Sequence, residues 1–137
     1  KIINKAFNFK GEYTENPFSD LNGNEWYTGD IKIAYAKGLT DGIFDECIDA
    51  DKPITREQMA ALLYRAVNTA GIVLENKVAK QVFLDKSDFQ NYSKQAIQYF
   101  QQTGILNGRG NRMFEPNGML TRAEAAKVVY EVLKNDV

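Results

Sequence analysis

The chain has 137 residues, 17 basic against 18 acidic side chains, one cysteine and no histidine. This composition is that of a compact soluble domain, and the missing histidine excludes any Ser-His-Asp triad, His-ligated metal or His general base. Scattered basic residues and a net charge of −1 exclude the phosphate-neutralising footprint of a nucleic-acid binder, Cys47 cannot form an internal disulfide, and no stretch approaches the length of a membrane span.

In chain order, Lys1 to Phe9 reads as the back half of a helix, so the natural start is expected further upstream. Phe18-Ser19-Asp20 precedes a first helix over about Trp26 to Lys37. Gly38-Leu39 then has the form of a Schellman stop, a left-handed glycine followed by an apolar residue, and Asp41-Gly42 is a tight-turn dipeptide. A loop from Ile43 to Lys52 leads to Thr55, which with Gln58 fits a capping box and opens a second helix. Its apolar residues at 59, 62, 63, 66 and 67 form the stripe of a helix buried on one side. Residues 71–82 are a connector, in which Val78 to Gln81 fits a helical turn.

The pattern then repeats. Phe83-Leu84-Asp85, a helix over about Asn91 to Thr103, Gly104-Ile105, Asn107-Gly108 and a loop from Arg109 to Met119 follow in the same order. Thr121 with Glu124 caps a last helix whose core stripe is 125, 128, 129, 132 and 133. Lys1 to Phe7 matches Ala61 to Val67, so the chain divides into the tail of a preceding repeat with its linker (1–16), a full repeat (17–70), the connector (71–82) and a second full repeat (83–137). The fold class expected is all-α, in tandem helix-loop-helix repeats.

Arg56 and Arg122 take the first helical position of the two second helices. A cation there opposes the helix dipole by roughly 0.3 to 1 kcal/mol, so something negative should meet it. Two partners fit: the acidic group of a ligand held by guanidinium and helix-end amides together, or an internal ion pair with Asp20 and Asp85. Trp26, with Tyr92 opposite it in the second copy, is either core or a flat platform for a sugar ring. Gly38 and Gly104 are helix stops that also permit close approach of a ligand to the backbone. Asp49-Ala50-Asp51 and Asp20 to Asn24 lack the glycine and glutamate of a calcium loop, Asp45 and Glu46 read as a solvated face, and Cys47 has no basic neighbour to activate it.

Phe18-Ser19-Asp20, Trp26, Ala34, Gly38-Leu39, Gly42 and Ile54-Thr55-Arg56-Glu57 closely resemble the S-layer homology repeat. So do Phe83-Leu84-Asp85, Ala96-Ile97, Gly104-Ile105, Gly108, Phe114, Pro116 and Leu120-Thr121-Arg122-Ala123-Glu124. The resemblance implies a non-catalytic extracellular anchor on the bacterial envelope, needing no cofactor and binding secondary cell-wall polysaccharide that carries pyruvate ketals. It also implies three repeats around a pseudo-threefold axis with ligand grooves between them. Its binding residues carry over to Arg56, Arg122, Asp20, Asp85, Trp26, Tyr92, Gly38 and Gly104. Tyr92 replaces the usual tryptophan, Glu57 a common alanine, and Ala50 stands where the second copy has Pro116. With the first repeat present only as its tail, self-association to complete the core is a further expectation.

Overall fold

A computed structural model describes residues 1–136. It contains five α-helices: α1 (Ile2–Ala6), α2 (Thr28–Ala36), α3 (Arg56–Ala70), α4 (Lys94–Thr103) and α5 (Arg122–Lys134), plus a 3-10 turn over Lys86–Asp88. Among the described residues there is no strand, only an isolated antiparallel bridge between Thr55 and Met119. No helix among the described residues is long and apolar enough to cross a membrane.

The packing alternates between repeats. The second helix of one repeat lies on the first helix of the next, α1 on α2 and α3 on α4, while α5 meets both α1 and α3. A repeat this short cannot bury its apolar face alone, so its neighbour supplies the other side of the core. Leu63, Ala66 and Val67 of α3 are fully buried with Ile97 and Phe100 of α4, Phe114 of the following loop and Val132 of α5.

Both capping boxes form. The Thr55 hydroxyl accepts from the Gln58 amide and the Thr121 hydroxyl from that of Glu124, each long side chain returning to its cap amide. Both Schellman stops form as well. Gly38 and Gly104 sit at φ +75° and +78°, and the amides of Leu39 and Ile105 donate to the carbonyls of Ala34 and Phe100.

Three expectations need correction. The first helices begin two and three residues late, at Thr28 and Lys94. In the first repeat the Glu25 carboxylate accepts from the amides of Asn22 and Gly23 and from the Thr28 hydroxyl, at 2.7 to 3.0 Å, and this turn keeps Trp26 out of the helix. The core stripe of α5 ends at Val132, and Leu133 is 41% exposed. Val78 to Gln81 is not helical; it runs along α4, with the Lys77 and Val78 amides donating to the Gln102 carbonyl.

Candidate functional site

The amino end of α3 is closed by the other repeat. Its first two amides, of Arg56 and Glu57, donate to the carbonyls of Gly118 (2.8 Å) and Pro116 (3.1 Å), and the third goes to the Thr55 cap. The Arg56 side chain follows the same route: Nε donates to the Phe114 carbonyl (2.9 Å), Nη2 to the Asn107 carbonyl (2.6 Å), and the guanidinium lies 4.5 Å from the Phe114 ring centroid. Only 7% of Arg56 is exposed. The negative partner that the helix end calls for is thus a set of carbonyl dipoles on one loop. Burial, and then the nearby charge of Arg109, holds the Arg56 guanidinium below its usual pKa, while Glu124, Glu115 and Asp85 act in the opposite direction.

The Arg–Asp ion pairs that the sequence allowed do not form. Asp85 is buried and accepts from the amides of Phe114 (3.0 Å) and Glu115 (2.8 Å); Asp20 accepts from those of Ile48 and Asp49, both at 2.9 Å. Each aspartate clasps the far loop of its own repeat. The clasp holds the exposed Asp20 below the usual carboxylate range, the Ile48 amide contributing most. Besides its charge, Asp85 acts on Arg56 by fixing the Phe114–Glu115 peptide whose carbonyl the arginine bonds.

Arg122 has the same place in sequence and the opposite environment. It is exposed and, among the described residues, its side chain has no hydrogen bond or ion pair and the amides of Arg122 and Ala123 meet no acceptor. Between these extremes lies Arg109, which sequence reasoning did not single out because it has no counterpart in the first copy. Its guanidinium bonds the Met119 carbonyl and Glu124, both at 3.0 Å, with Glu115 at 3.8 Å, and stays partly exposed beside Arg56.

The aromatic positions diverge too. Trp26 is 76% exposed, packed edge-on against Tyr27 and overlaid by the Lys1 ammonium at 5.1 Å from the ring centroid. It borders a cavity of about 770 Å³ with Tyr27, Phe44, Ile48 and Lys52, which reaches Thr55 at the start of α3. Tyr92 is half-buried, its phenol pushed up to about 12 by burial and then by the charge of Glu57. Glu57 itself is 3% exposed and accepts from the Ser93 hydroxyl (2.8 Å) and the Gln90 amide (3.0 Å), tying α3 to the turn before α4. The glutamate that departs from the repeat pattern is therefore a link between repeats. Neither Gly38 nor Gly104 borders this cavity.

All-helical tandem repeats whose helices pack across the repeat boundary and whose loops interlock define a domain of repeat type. The chain belongs to the S-layer homology domain family, which matches residues 17–60 and 83–126, more than half of its length. It is a cell-surface anchoring domain. Relatives include an amylopullulanase of Thermoanaerobacterium thermosulfurigenes and the exoglucanase XynX of Acetivibrio thermocellus, each 32% identical over 97% of the chain but over only 7% and 12% of the relative. A cellulosome-anchoring protein of Acetivibrio thermocellus is 23% identical over 98% of the chain and 30% of its own length. The chain thus spans a minor part of each of these relatives.

Proposed function

We propose that the domain anchors by binding an acidic, pyruvate-bearing secondary cell-wall polysaccharide, with Trp26 as the platform for a sugar ring and Arg122 as the open cation. The observation that carries this reading is the exposure of Trp26 beside a cavity of about 770 Å³. A tryptophan left largely in solvent forgoes its hydrophobic stabilisation, and a ring stacked on its face restores it. Arg122, with two unpartnered amides behind it, offers the carboxylate of a ketal both charge and hydrogen bonds. Asp20 keeps spare lone pairs for sugar hydroxyls, while Arg56 and Asp85 serve the groove as struts that hold the Arg109 loop.

The test is co-sedimentation of the chain with purified wall polysaccharide before and after chemical removal of pyruvate. Binding should be lost on removal, and Trp26→Ala and Arg122→Ala should each weaken it by about tenfold while melting like the parent. Undiminished binding to the depyruvylated polymer, or by both variants, refutes the proposal.

A second reading, self-association, has its own observation. The loop at 107–118 receives the end of α3, whereas the end of α5 and the matching carbonyls of Ala50 and Lys52 in the first loop receive no such partner among the described residues. The free end of one copy fits the free loop of another. A concentration-independent monomer in sedimentation equilibrium removes this reading.

A further inference from the structure

Against Phe83 and Phe89, which pack on Phe114, lies a separate crevice of about 390 Å³, within the roughly 300–1,000 Å³ range of small-ligand sites. Its rim carries Lys80 from the connector, Lys86 from the 3-10 turn and Lys94 from the first turn of α4. Among the described residues none of the three has an ion-pair or hydrogen-bond partner through its ammonium group. Asp85, the neighbouring acid, is committed to the Phe114 and Glu115 amides, and Asp88 does not border the crevice.

The amino end of α4 is met by the buried Glu57 carboxylate through Ser93, so the positive potential of the crevice is that of the three lysines, and Lys94 stands where the helix dipole opposes a cation. The floor, by contrast, is apolar: Phe83, Phe89 and Ile97, with Ser87 and Gln98 as polar edges. Charge around an aromatic floor suits an anionic group carried on a saccharide.

The crevice is also rigid. Gln101, 5% exposed, accepts from the Gln81 amide at 2.9 Å and donates to the Ala79 carbonyl at 3.0 Å, bracketing Lys80. A buried side chain spent on the backbone at both flanks of one exposed lysine fixes that lysine over α4. The matching positions in and before the first repeat hold Glu15, Leu21 and Thr28, so the lysine set belongs to the connector and second repeat alone, and its lining shares no residue with the cavity beside Trp26.

We propose that this crevice is a second anion site, taking a carboxylate or phosphate group on a sugar between Lys80, Lys86 and Lys94. The site goes beyond the Trp26 reading and stands or falls separately. Amide NMR of the whole chain, titrated with glucuronic acid, glucose 6-phosphate and glucose, tests it. Both anionic sugars, or one of them if the site selects between carboxylate and phosphate, should shift the amides of Ser87, Lys94 and Gln98, and glucose should not. Lys86→Gln combined with Lys94→Gln should weaken binding roughly tenfold with an otherwise native spectrum, and Lys86→Arg should retain it. Shifts confined to Trp26 and Arg122, equal shifts with glucose, or undiminished binding by the double glutamine variant would overturn the assignment.

Discussion

Arg56 and Arg122 occupy identical positions in their repeats, so their removal separates a structural arginine from an available one. In Arg56→Ala the carbonyls of Phe114 and Asn107 each lose a charged donor, and the Phe114 ring loses the guanidinium 4.5 Å from its centroid. Hydrogen bonds to charged groups contribute about 1.5 to 3 kcal/mol each and a desolvated cation–π contact up to about 2. These terms are not additive and partial hydration of the vacated space offsets some of the loss, so a destabilisation of roughly 3 to 5 kcal/mol is expected. Arg122→Ala removes an exposed side chain without a partner and should stay within about 0.5 kcal/mol. Its loss of a cation at a helix start is even slightly favourable. Against a total of about 5 to 15 kcal/mol for a domain of this size, the first change is readily measured in urea. Equal shifts for the two variants, or a loss below about 1 kcal/mol in Arg56→Ala, would refute the enclosure of Arg56. The same asymmetry means that a binding defect in Arg56→Ala reads as misfolding of the Arg109 loop unless a melting curve accompanies it.

Tyr92, with its phenol raised to about 12 from an ordinary 10.0, binds its proton more tightly folded than unfolded, so its contribution is complete below pH 10 and fades as pH rises to about 12. Tyr92→Phe should flatten the alkaline limb of the stability profile, and a phenol titrating at 10 by ultraviolet difference spectroscopy would contradict this. Glu25 runs the other way, lowered to about 2 from 4.5 by the Asn22 amide and then the Thr28 hydroxyl; its turn is fully stabilised above pH 4.5 and released as pH falls through about 2, which carboxyl NMR titration reads directly. Gly104→Ala forces a side chain into φ +78° with its Cβ 3.3 Å from the Val78 methyl, and should cost about 1 to 2 kcal/mol in urea melts; a neutral effect would remove the left-handed stop. Asp45→Lys with Glu46→Lys should tighten binding of acidic wall polymer about fivefold at low salt, with no gain at 1 M salt. Unchanged affinity at low salt would show that the first loop's charge does not reach the ligand.

The helix ends were legible because they are local. A threonine, a long polar residue three positions on and a buried stripe are enough for a capping box, and a glycine followed by an apolar residue is enough for a Schellman stop. The partners of Arg56 were not legible, since they are backbone carbonyls at Asn107 and Phe114 and every residue has a carbonyl. Sequence offers only charged side chains as candidates, which is why Asp20 and Asp85 drew attention although their carboxylates bond amides of their own loops. Glu57 passed as a variation in the repeat for a related reason. Its partners, Ser93 and the Gln90 amide, lie on the following repeat, and no local pattern links them. The 76% exposure of Trp26 likewise has no local signal, since an aromatic residue before a helix reads equally well as core.

The two repeats have the same scaffold and oppositely charged loops. The first turn and loop, residues 41–52, carry five acids, Asp41, Asp45, Glu46, Asp49 and Asp51, against Lys52; the counterpart 107–118 carries Arg109 and Arg112 against Glu115. With Trp26 as the platform proposed above, the adjoining loop would repel an acidic ligand, with only the Lys52–Asp49 pair at 3.3 Å relieving the excess locally. In the second repeat Arg109 is a partly exposed cation bonded to Met119 and Glu124, and Tyr92 is half-buried against Glu57 and offers less of a face. An acidic polymer lying across the domain would therefore place a neutral ring on the first groove and its charged substituents toward the second repeat. That is the arrangement in which both loops keep their native charges and neither is left facing its own sign.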